Sequence, residues 1–256
     1  MKVFITGADG QLGRALQKRS SEYVEIIPFT SKACNIVDKK QVRKCICNIK
    51  PDIVIHCAAY TAVDQAEIEQ EACRSINIDG TKNVALACEE TGASLMLLSS
   101  DYVFNGLSSH PYEIEDRRDA LNQYGRSKIE AENIVTQLKK HFVIRTSWMF
   151  GDGSNFVKTI CRLGLRQHEV RVVADQLGSP TFAEDIAPLI IDIAKDYKYG
   201  TYHITNEGYC SWADLASESF RLLGIDAKVS RIMSYEYASL AKRPKNSRLS
   251  KKSLDE

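Results

Sequence analysis

Short apolar runs alternate along the first part of the chain with longer segments in which apolar positions recur every three or four residues. The first pattern predicts β-strands and the second predicts α-helices. Strands are expected at residues 3–6, 24–28, 53–56, 95–99 and 143–145. Because strands and helices alternate, we expect an α/β fold, a Rossmann-type doubly wound parallel sheet with helices on both faces.

Capping residues, glycine and proline mark the expected helix boundaries. Asp38 is a candidate N-cap for a helix that Pro51 ends, and Gly92 is a candidate stop for a longer helix. Ser211 and Asp214 form a candidate capping box at the start of a later helix. The predicted helices span residues 38–49, 72–90, 123–139, 156–166, 183–195 and 211–223.

The pattern becomes less regular after about residue 150, which predicts a change in organisation. We expect residues 1–150 to form a dinucleotide-binding domain, to which parts of residues 170–205 return. Residues 151–256 are expected to form mainly a small C-terminal substrate lobe.

The composition narrows the range of partners. Of the 256 residues, 44% are hydrophobic, and 34 basic residues against 33 acidic residues leave a formal net charge of +1. This balance argues against nucleic acid polymers and membrane surfaces and favours a small-molecule partner. No apolar run approaches the ~20 residues of a membrane-spanning helix, and the N-terminus lacks a signal-peptide layout, so a cytoplasmic location is expected.

Neither the cysteines nor the histidines have the spacing of a metal site. The eight cysteines include no CxxC pair, and the five histidines lack the helical spacings HxxxH and HExxH. We therefore predict buried or half-exposed free thiols and no bound metal.

Three glycines follow the first predicted strand and precede a helix-like stretch. Gly7, Gly10 and Gly13 would allow a sharp turn, close approach to a pyrophosphate and tight packing of helix on strand. Their GxxGxxG spacing departs from the GxGxxG of the standard dinucleotide fingerprint. A plain turn is the alternative, but a first strand that begins at residue 2 favours a dinucleotide site.

Tyr124 and Lys128 lie four positions apart in a predicted helix, so both side chains are expected on one helical face. A free tyrosine titrates near pH ~10, and a neighbouring cation lowers the pKa of the phenol by stabilising tyrosinate. The pair is therefore a candidate proton donor with its activating amine. A solvated surface pair would have the same spacing, so the surrounding motifs decide between the two.

These motifs occur in the chain order and spacing of a known family. The glycine turn, a serine after the fourth predicted strand and the Tyr/Lys pair resemble the extended branch of the short-chain dehydrogenase/reductase family. Within it, the chain is similar to the dTDP-4-dehydrorhamnose reductases on segments that together span most of its length. These segments are residues 10–13, 58–64, 99–104, 124–128, 145–148, 155–159, 175–181 and 243–249.

The resemblance implies reduction of a sugar ketone by a nicotinamide cofactor. Tyr124 would donate the proton, Lys128 would lower its pKa and hold the nicotinamide ribose, and Ser100 would hydrogen-bond the carbonyl oxygen. Ser99 is the nearest competitor of Ser100, but strand alternation would point it to the opposite face. The implied substrate is a dTDP-4-keto-6-deoxy sugar, dTDP-4-dehydro-6-deoxy-L-mannose.

NADPH is the expected cofactor, with NADH as an alternative. The segment Phe29-Thr30-Ser31-Lys32 has no acid that would bind a ribose 2′-hydroxyl, and its polar residues would accept a 2′-phosphate. Asn35 and Ile36 stand where similar reductases carry an Asp-hydrophobic pair near the adenine. The implied cofactor-binding residues are Gly7, Gly10, Gln11, Leu12, Gly13, Thr30, Ser31, Asn35, Ile36, Cys57, Ala58, Ala59, Tyr60, Ser99, Tyr124 and Lys128.

The substrate-binding residues are likewise implied by the resemblance. Trp148 is suited to cover a sugar or base, with core packing as the alternative, and Arg243 is suited to clamp a diphosphate. The full set is Val63, Ser100, Asp101, Tyr102, Trp148, Asn155 and Arg243.

Other functions of the same superfamily remain open at this point. A nucleotide-sugar dehydratase would need a further carboxylate after Ser100 and Asp101, where this chain has Tyr102. An epimerase and a non-catalytic regulatory subunit similar to the methionine adenosyltransferase beta subunit are further alternatives. A homodimer is compatible with the resemblance. The family continues with a closing helix beyond residues 243–249, whereas this chain stops at Glu256, so a truncated C-terminus is expected.

Overall fold

A six-stranded parallel sheet forms the centre of the computed structural model, which describes residues 1–254. The expected truncation concerns the end of the chain and lies outside the described residues. The strands are β1 (Lys2–Thr6), β2 (Glu25–Phe29), β3 (Ile53–His56), β4 (Ser94–Ser100), β5 (His141–Thr146), β6 (Met149–Phe150), β7 (Glu169–Val173), β8 (Leu177–Gly178), β9 (Thr181–Phe182), β10 (Gly200–His203), β11 (Cys210–Ser211) and β12 (Lys228–Ile232).

The strand order in the large sheet is β2-β1-β3-β4-β5-β10, and every pair in it is parallel. The fold class and the five predicted strands are confirmed, with boundaries that differ by a residue or two. The sixth strand, β10, was not predicted as a strand. Its sequence Gly-Thr-Tyr-His is short and mostly half-buried at the sheet edge, so it carries no apolar run.

Helices cover both faces of this sheet. They are α1 (Gln11–Gln17), α2 (Lys39–Ile49), α3 (Gln70–Arg74), α4 (Thr81–Thr91), α5 (Gln123–Val135), α6 (Phe156–Gly164), α7 (Ala183–Asp196) and α8 (Trp212–Leu223). Alternate residues of β3 show the two layers, because Ile53 and Ile55 pack with α1 and α7, whereas Val54 packs with α2 and α4. This alternation is what a strand buried on both faces requires.

Two predicted helix boundaries are confirmed in atomic detail. The Asp38 carboxylate accepts hydrogen bonds from the backbone amides of Lys40 and Gln41, which makes it the N-cap of α2. Ser211 and Asp214 form the predicted capping box of α8. Both caps satisfy amides that the first helical turn would otherwise leave unpaired.

Two other helix predictions differ from the structure. The helix expected over residues 72–90 is divided by a π-helical segment, Ser75–Gly80, between α3 and α4. Within this segment the buried Asn77 donates to Ser127 Oγ at 2.8 Å and accepts from the Tyr60 amide at 2.7 Å. The helix expected over residues 123–139 ends at Val135, because the backbone turns after Thr136 and enters β5.

A second, smaller core lies in the C-terminal part of the chain. Ile160 of α6, Val170 of β7 and Phe220 of α8 are buried together. Strands β7 and β12 pair in parallel beside these helices, separately from the large sheet. The domain boundary expected near residue 150 stays a prediction.

Residues 1–254 include no helix long and apolar enough to cross a membrane. The same residues include no group of three or more histidine, cysteine or acidic side chains arranged to hold a metal ion.

Candidate active site

A cavity of about 730 Å³ opens at the carboxyl ends of β1, β3, β4 and β5. Strand β2 lies on one side of β1, and β3 lies on the other. The order in which the strands are added therefore reverses at β1, beside this cavity. Ligands of open α/β sheets bind at such a reversal. The volume lies within the range of small-molecule sites.

The glycine turn forms one wall, and its glycines are required by close backbone contacts. Gly7 has a φ of 65°, and a Cβ atom there would lie 2.6 Å from the Ala58 backbone nitrogen. A Cβ on Gly13 would lie 2.4 Å from the Gly7 carbonyl oxygen. At Gly10 the nearest atom is 3.2 Å away, which is a milder contact. Strand β1, strand β3 and helix α1 therefore meet without side chains between them.

A buried histidine fixes the same corner. His56 Nδ1 lies 2.7 Å from Thr6 Oγ1, and His56 Nε2 lies 3.1 Å from Thr81 Oγ1. Burial lowers the pKa of His56 to about 3, so the ring is neutral at physiological pH. Thr6 Oγ1 also accepts from the Ala58 amide at 3.2 Å, which holds the end of β3 against the glycine turn.

The segment after β2 forms the far end of the cavity. Ser31, Cys34, Asn35 and Ile36 line it, as predicted for three of them, and no carboxylate lies in residues 29–32. The predicted residue Thr30 does not line the cavity. Its carbonyl oxygen instead accepts the amides of residues 33 and 34 and shapes the turn.

Ser100 and Tyr124 meet at the carboxyl end of β4. Ser100 Oγ lies 2.9 Å from Asp101 Oδ1 and accepts from the Tyr102 amide at 3.1 Å. Ser100 also lies close enough to Tyr124 to lower the pKa of that phenol by itself. The Tyr102 ring packs edge-on against the Tyr124 ring, with centroids 6.0 Å apart. Ser100, Tyr102 and Tyr124 all line the cavity.

Lys128 lies one turn further along α5 and is buried. Its Nζ donates to the Leu98 carbonyl oxygen at 2.7 Å, and burial lowers its pKa to about 8. Burial raises the pKa of Tyr124 above its usual range, and this effect outweighs the lowering by Ser100. The pKa of Tyr124 is therefore raised in this arrangement, in which the amine is held on a backbone carbonyl, and the expected lowering by Lys128 stays a prediction.

Ser99 and Ser100 point in different directions, as strand alternation predicts. Ser99 Oγ donates to Glu132 Oε1 at 2.5 Å. The buried Glu132 also accepts from Arg145 and Arg118, each with a 2.9 Å contact to Oε2. Ser99 borders the cavity, but its hydroxyl belongs to this buried charge network.

Asp101 is buried directly behind Ser100. Burial raises the pKa of this carboxyl to about 7, and hydrogen bonds from serines offset part of that rise. Its Oδ2 atom has no hydrogen-bond partner among the described residues. A buried carboxyl with a raised pKa therefore hydrogen-bonds to Ser100, which lines the cavity beside Tyr124.

Two tryptophans form the wall opposite the glycine turn. The Trp148 and Trp212 rings stack with centroids 3.6 Å apart, and both line the cavity. Trp148 has a φ of 44°, and a Cβ on Gly178 would lie 2.5 Å from its ring. Trp148 thus packs against Trp212 and also borders the cavity. Its expected contact with a sugar or base stays a prediction. Trp212 was missed, since a tryptophan after a capping box carries no signal of a ligand.

The remaining predicted residues divide into two groups. Gln11, Leu12, Cys57, Ala58, Ala59 and Val63 line the cavity. Tyr60, Asn155 and Arg243 do not, and like Thr30 and Lys128 they have partners within the protein. Tyr60 donates to Glu69 at 2.7 Å, Asn155 caps α6 by accepting from the Lys158 amide at 3.0 Å, and Arg243 pairs with Asp64 at 2.6 Å.

Three features define a Rossmann-type protein of the short-chain dehydrogenase/reductase class. They are the reversal of strand order at β1, the glycine turn, and the set formed by Ser100, Tyr124 and Lys128. The family model described as RmlD substrate binding domain matches residues 1–256. The chain belongs to this family, which includes the dTDP-4-dehydrorhamnose reductases.

Individual relatives agree with this assignment. A dTDP-4-dehydrorhamnose reductase of Aggregatibacter actinomycetemcomitans is 39% identical over 96% of this chain and 89% of its own length. The spore coat polysaccharide biosynthesis protein SpsK of Bacillus subtilis is 39% identical over 100% of this chain and 91% of its own. The solved structure of dTDP-4-dehydrorhamnose reductase from Bacillus anthracis, in complex with NADP, is 42% identical with a TM-score of 0.96 and covers 99% of this chain and 92% of that one.

Proposed function

We propose that this protein is an NADPH-dependent dTDP-4-dehydrorhamnose reductase. It would reduce the C4 keto group of dTDP-4-dehydro-6-deoxy-L-mannose to give dTDP-L-rhamnose. The observation that carries the proposal is that Ser100 and Tyr124 line one cavity beside the glycine turn. The full-length similarity to reductases of this name supports the choice of reaction.

The glycine turn fits a dinucleotide, because its three glycines line the cavity and the missing Cβ atoms let strand β1, strand β3 and helix α1 meet closely behind it. Gly7, Gly10 and Gly13 would approach the pyrophosphate, and Ser31 would face the adenosine end. The absence of a carboxylate in residues 29–32 suits a 2′-phosphate, as does the NADP found with the Bacillus anthracis relative. When bound, the nicotinamide cofactor supplies the hydride.

Tyr124 supplies the proton at the sugar oxygen. The phenol is protonated at neutral pH, and because burial raises its pKa, the proton transfer depends on groups that stabilise the tyrosinate. Ser100 holds the same oxygen by a hydrogen bond and stabilises the negative charge that develops on it. The transfer leaves tyrosinate, which takes a proton from solvent before the next turnover.

Lys128 would stabilise this tyrosinate and so lower the free-energy cost of the proton transfer. Its pKa of about 8 leaves the amine mainly cationic at pH 7, and it lies one turn from Tyr124 on the same helix. An ammonium donates three hydrogen bonds, and only one is used on the Leu98 carbonyl. The others are available to a cofactor ribose.

NADPH oxidation on addition of the dTDP-4-keto-6-deoxy sugar tests the proposal. A reductase consumes one NADPH per sugar and forms the corresponding dTDP-6-deoxyhexose, identified by mass. Incubation with NADPH alone is the control. Cofactor binding without oxidation would instead support a regulatory subunit, and loss of water from a dTDP-hexose would support a dehydratase.

A cytoplasmic location and a homodimer belong to the same proposal. Cell fractionation tests the first. Light scattering after size-exclusion chromatography tests the second, for which a molar mass near that of one chain is the contrary result.

A further inference from the structure

One carboxylate joins the loop after β3 to a distant segment near the end of the chain. Asp64 Oδ1 accepts from Ser239 Oγ at 2.9 Å, from the Ala241 amide at 3.0 Å and from Arg243 Nη1 at 3.1 Å. Asp64 Oδ2 accepts from Arg243 Nη2 at 2.6 Å. The contact with Arg243 is therefore bidentate, the strongest geometry for this type of pair.

The segment that Asp64 holds has few other attachments. Tyr235, Tyr237 and Leu240 are 85%, 53% and 63% exposed, so residues 235–240 bury little apolar surface. Ser234 bonds to Asp175 before this stretch, and Asn122 donates to the Lys242 carbonyl oxygen at 2.8 Å after it. Asp64 ties Ser239, Ala241 and Arg243 to the loop after β3, and these three residues also bond to one another within the segment.

Arg243 connects this anchor to the cavity. Its side chain is 21% exposed, and its charge acts on Tyr102, which lines the cavity. Tyr102 in turn packs against Tyr124. Val63, the neighbour of Asp64, lines the cavity directly. A shift of Arg243 would therefore change the position of Tyr102 at the proposed substrate end of the cavity, and it would leave the glycine turn unchanged.

We propose that Asp64 is a positioning residue, which fastens residues 239–243 and sets Arg243 against Tyr102 for binding of the nucleotide sugar. This inference rests on the proposed reductase function. The opposite role is that Asp64 occupies Arg243 and competes with the substrate diphosphate. The two roles predict changes of opposite sign in substrate affinity, so they are separable.

The pair itself is expected to add little to global stability. The Asp64 side chain is 42% exposed, and solvent screens ion pairs at such positions, so they contribute little to stability. Hydrogen bonding to Arg243 holds the pKa of Asp64 far below its usual range, so the carboxylate is charged at every pH used for assay. Variants of Asp64 should therefore fold, and their effects should be local.

The test compares Asp64→Ala and Asp64→Asn with Glu90→Gln, which breaks the bidentate Arg43–Glu90 pair on the far side of the sheet. We expect Asp64→Ala to raise KM for the nucleotide sugar by about tenfold, with kcat within about threefold and NADPH affinity within about twofold. Asp64→Asn should give a smaller rise, because its amide oxygen still accepts from Ala241. Glu90→Gln should change none of these quantities.

Hydrogen exchange measures the fastening separately from catalysis. Residues 239–243 should exchange at least about tenfold faster in Asp64→Ala than in the unaltered protein, while residues 7–13 should not change. Unchanged exchange in 239–243 would overturn the proposal, and so would an unchanged or lowered KM. If the unaltered protein lacks reductase activity, the proposed function fails; binding of dTDP, followed by Trp148 and Trp212 fluorescence, then replaces KM and is expected to weaken about tenfold.

Discussion

The two ends of the cavity are built by different means. At the cofactor end, backbone meets backbone, because Gly7 and Gly13 leave no room for a Cβ beside Ala58 and the Gly7 carbonyl. At the substrate end, side chains from distant segments meet, as Asp64 does with Arg243 and Trp148 does with Trp212. The first end is fixed by the sheet itself, whereas the second depends on contacts that a single substitution can remove.

This difference predicts how each end responds to change. An added methyl group at the cofactor end must move backbone, which a close-packed interior resists. A lost side chain at the substrate end leaves the sheet intact and alters only position and affinity. The proposed catalytic residues Ser100 and Tyr124 line the cavity between the two ends, so we expect their replacement to stop the reaction while both ends remain formed.

Tyr124→Phe gives the largest expected effect. Removal of the general acid should lower kcat by about 1,000-fold, since general acid catalysis contributes ~10²–10⁴. NADPH affinity should stay within about twofold, because the glycine turn is untouched. Stopped or steady-state NADPH oxidation and cofactor titration measure both quantities. A kcat within tenfold of the unaltered protein would show that another group delivers the proton.

Ser100→Ala and Ser99→Ala form a matched pair on adjacent positions of β4. Loss of the Ser100 hydroxyl should lower kcat by about 100-fold, as removal of one oxyanion donor does elsewhere. Loss of the Ser99 hydroxyl removes one bond to the buried Glu132 and should lower the free energy of unfolding by about 1 kcal/mol. Rates and denaturation curves of both variants distinguish these roles. The reverse pattern would mean that Ser99 faces the substrate.

Asp101→Asn tests the buried carboxyl through the pH dependence of stability. The pKa of Asp101 is about 7 in the folded chain and ~3.9 when unfolded, so protonation favours the folded state. This contribution is full below the unfolded pKa and is lost as the pH rises through the folded value. Between pH 5 and pH 8, urea denaturation should show the unaltered protein losing about 2–3 kcal/mol relative to Asp101→Asn. Parallel pH profiles would show that Asp101 ionises normally.

Gly13→Ala is expected to change stability less than ionisation of Asp101 does, and it probes the proposed cofactor end. Alanine favours a helix by about 1 kcal/mol over glycine, but the 2.4 Å approach to the Gly7 carbonyl should outweigh this gain. We expect a net loss of about 1–2 kcal/mol in the free energy of unfolding, measured by urea titration. Gly10→Ala is the control, because its nearest contact is 3.2 Å. Equal stability of the two variants would show that the turn tolerates a Cβ.

The strands and caps were predictable because their signals are local. The apolar run of β3 and the Asp38 cap each depend on a few neighbouring residues. Strand β10 was not, since an edge strand that is half-exposed needs no apolar run. The π-helical segment Ser75–Gly80 was also hidden, because its distortion serves Asn77, which bonds to residues far away in the sequence.

The site shows the same division. Motif spacing predicted that Ser100 and Tyr124 lie together, because Ser100 ends strand β4 and Tyr124 lies in the first turn of helix α5. The raised pKa of Tyr124 was not predictable, because it comes from burial. Neither this burial nor the hydrogen bond from Lys128 to the Leu98 carbonyl can be read from motif spacing.

The sequence by itself determined the parallel sheet, the glycine turn and the order of the catalytic residues, since each is encoded in short segments whose backbone geometry is local. Only the tertiary structure decided which side chains share a wall of the cavity and which are held elsewhere. Three pairs of residues become neighbours only after folding: Asp64 with Arg243, Trp148 with Trp212, and Lys128 with Leu98. Burial and pairing then set their charge and position, and those two properties determine the chemistry of the site.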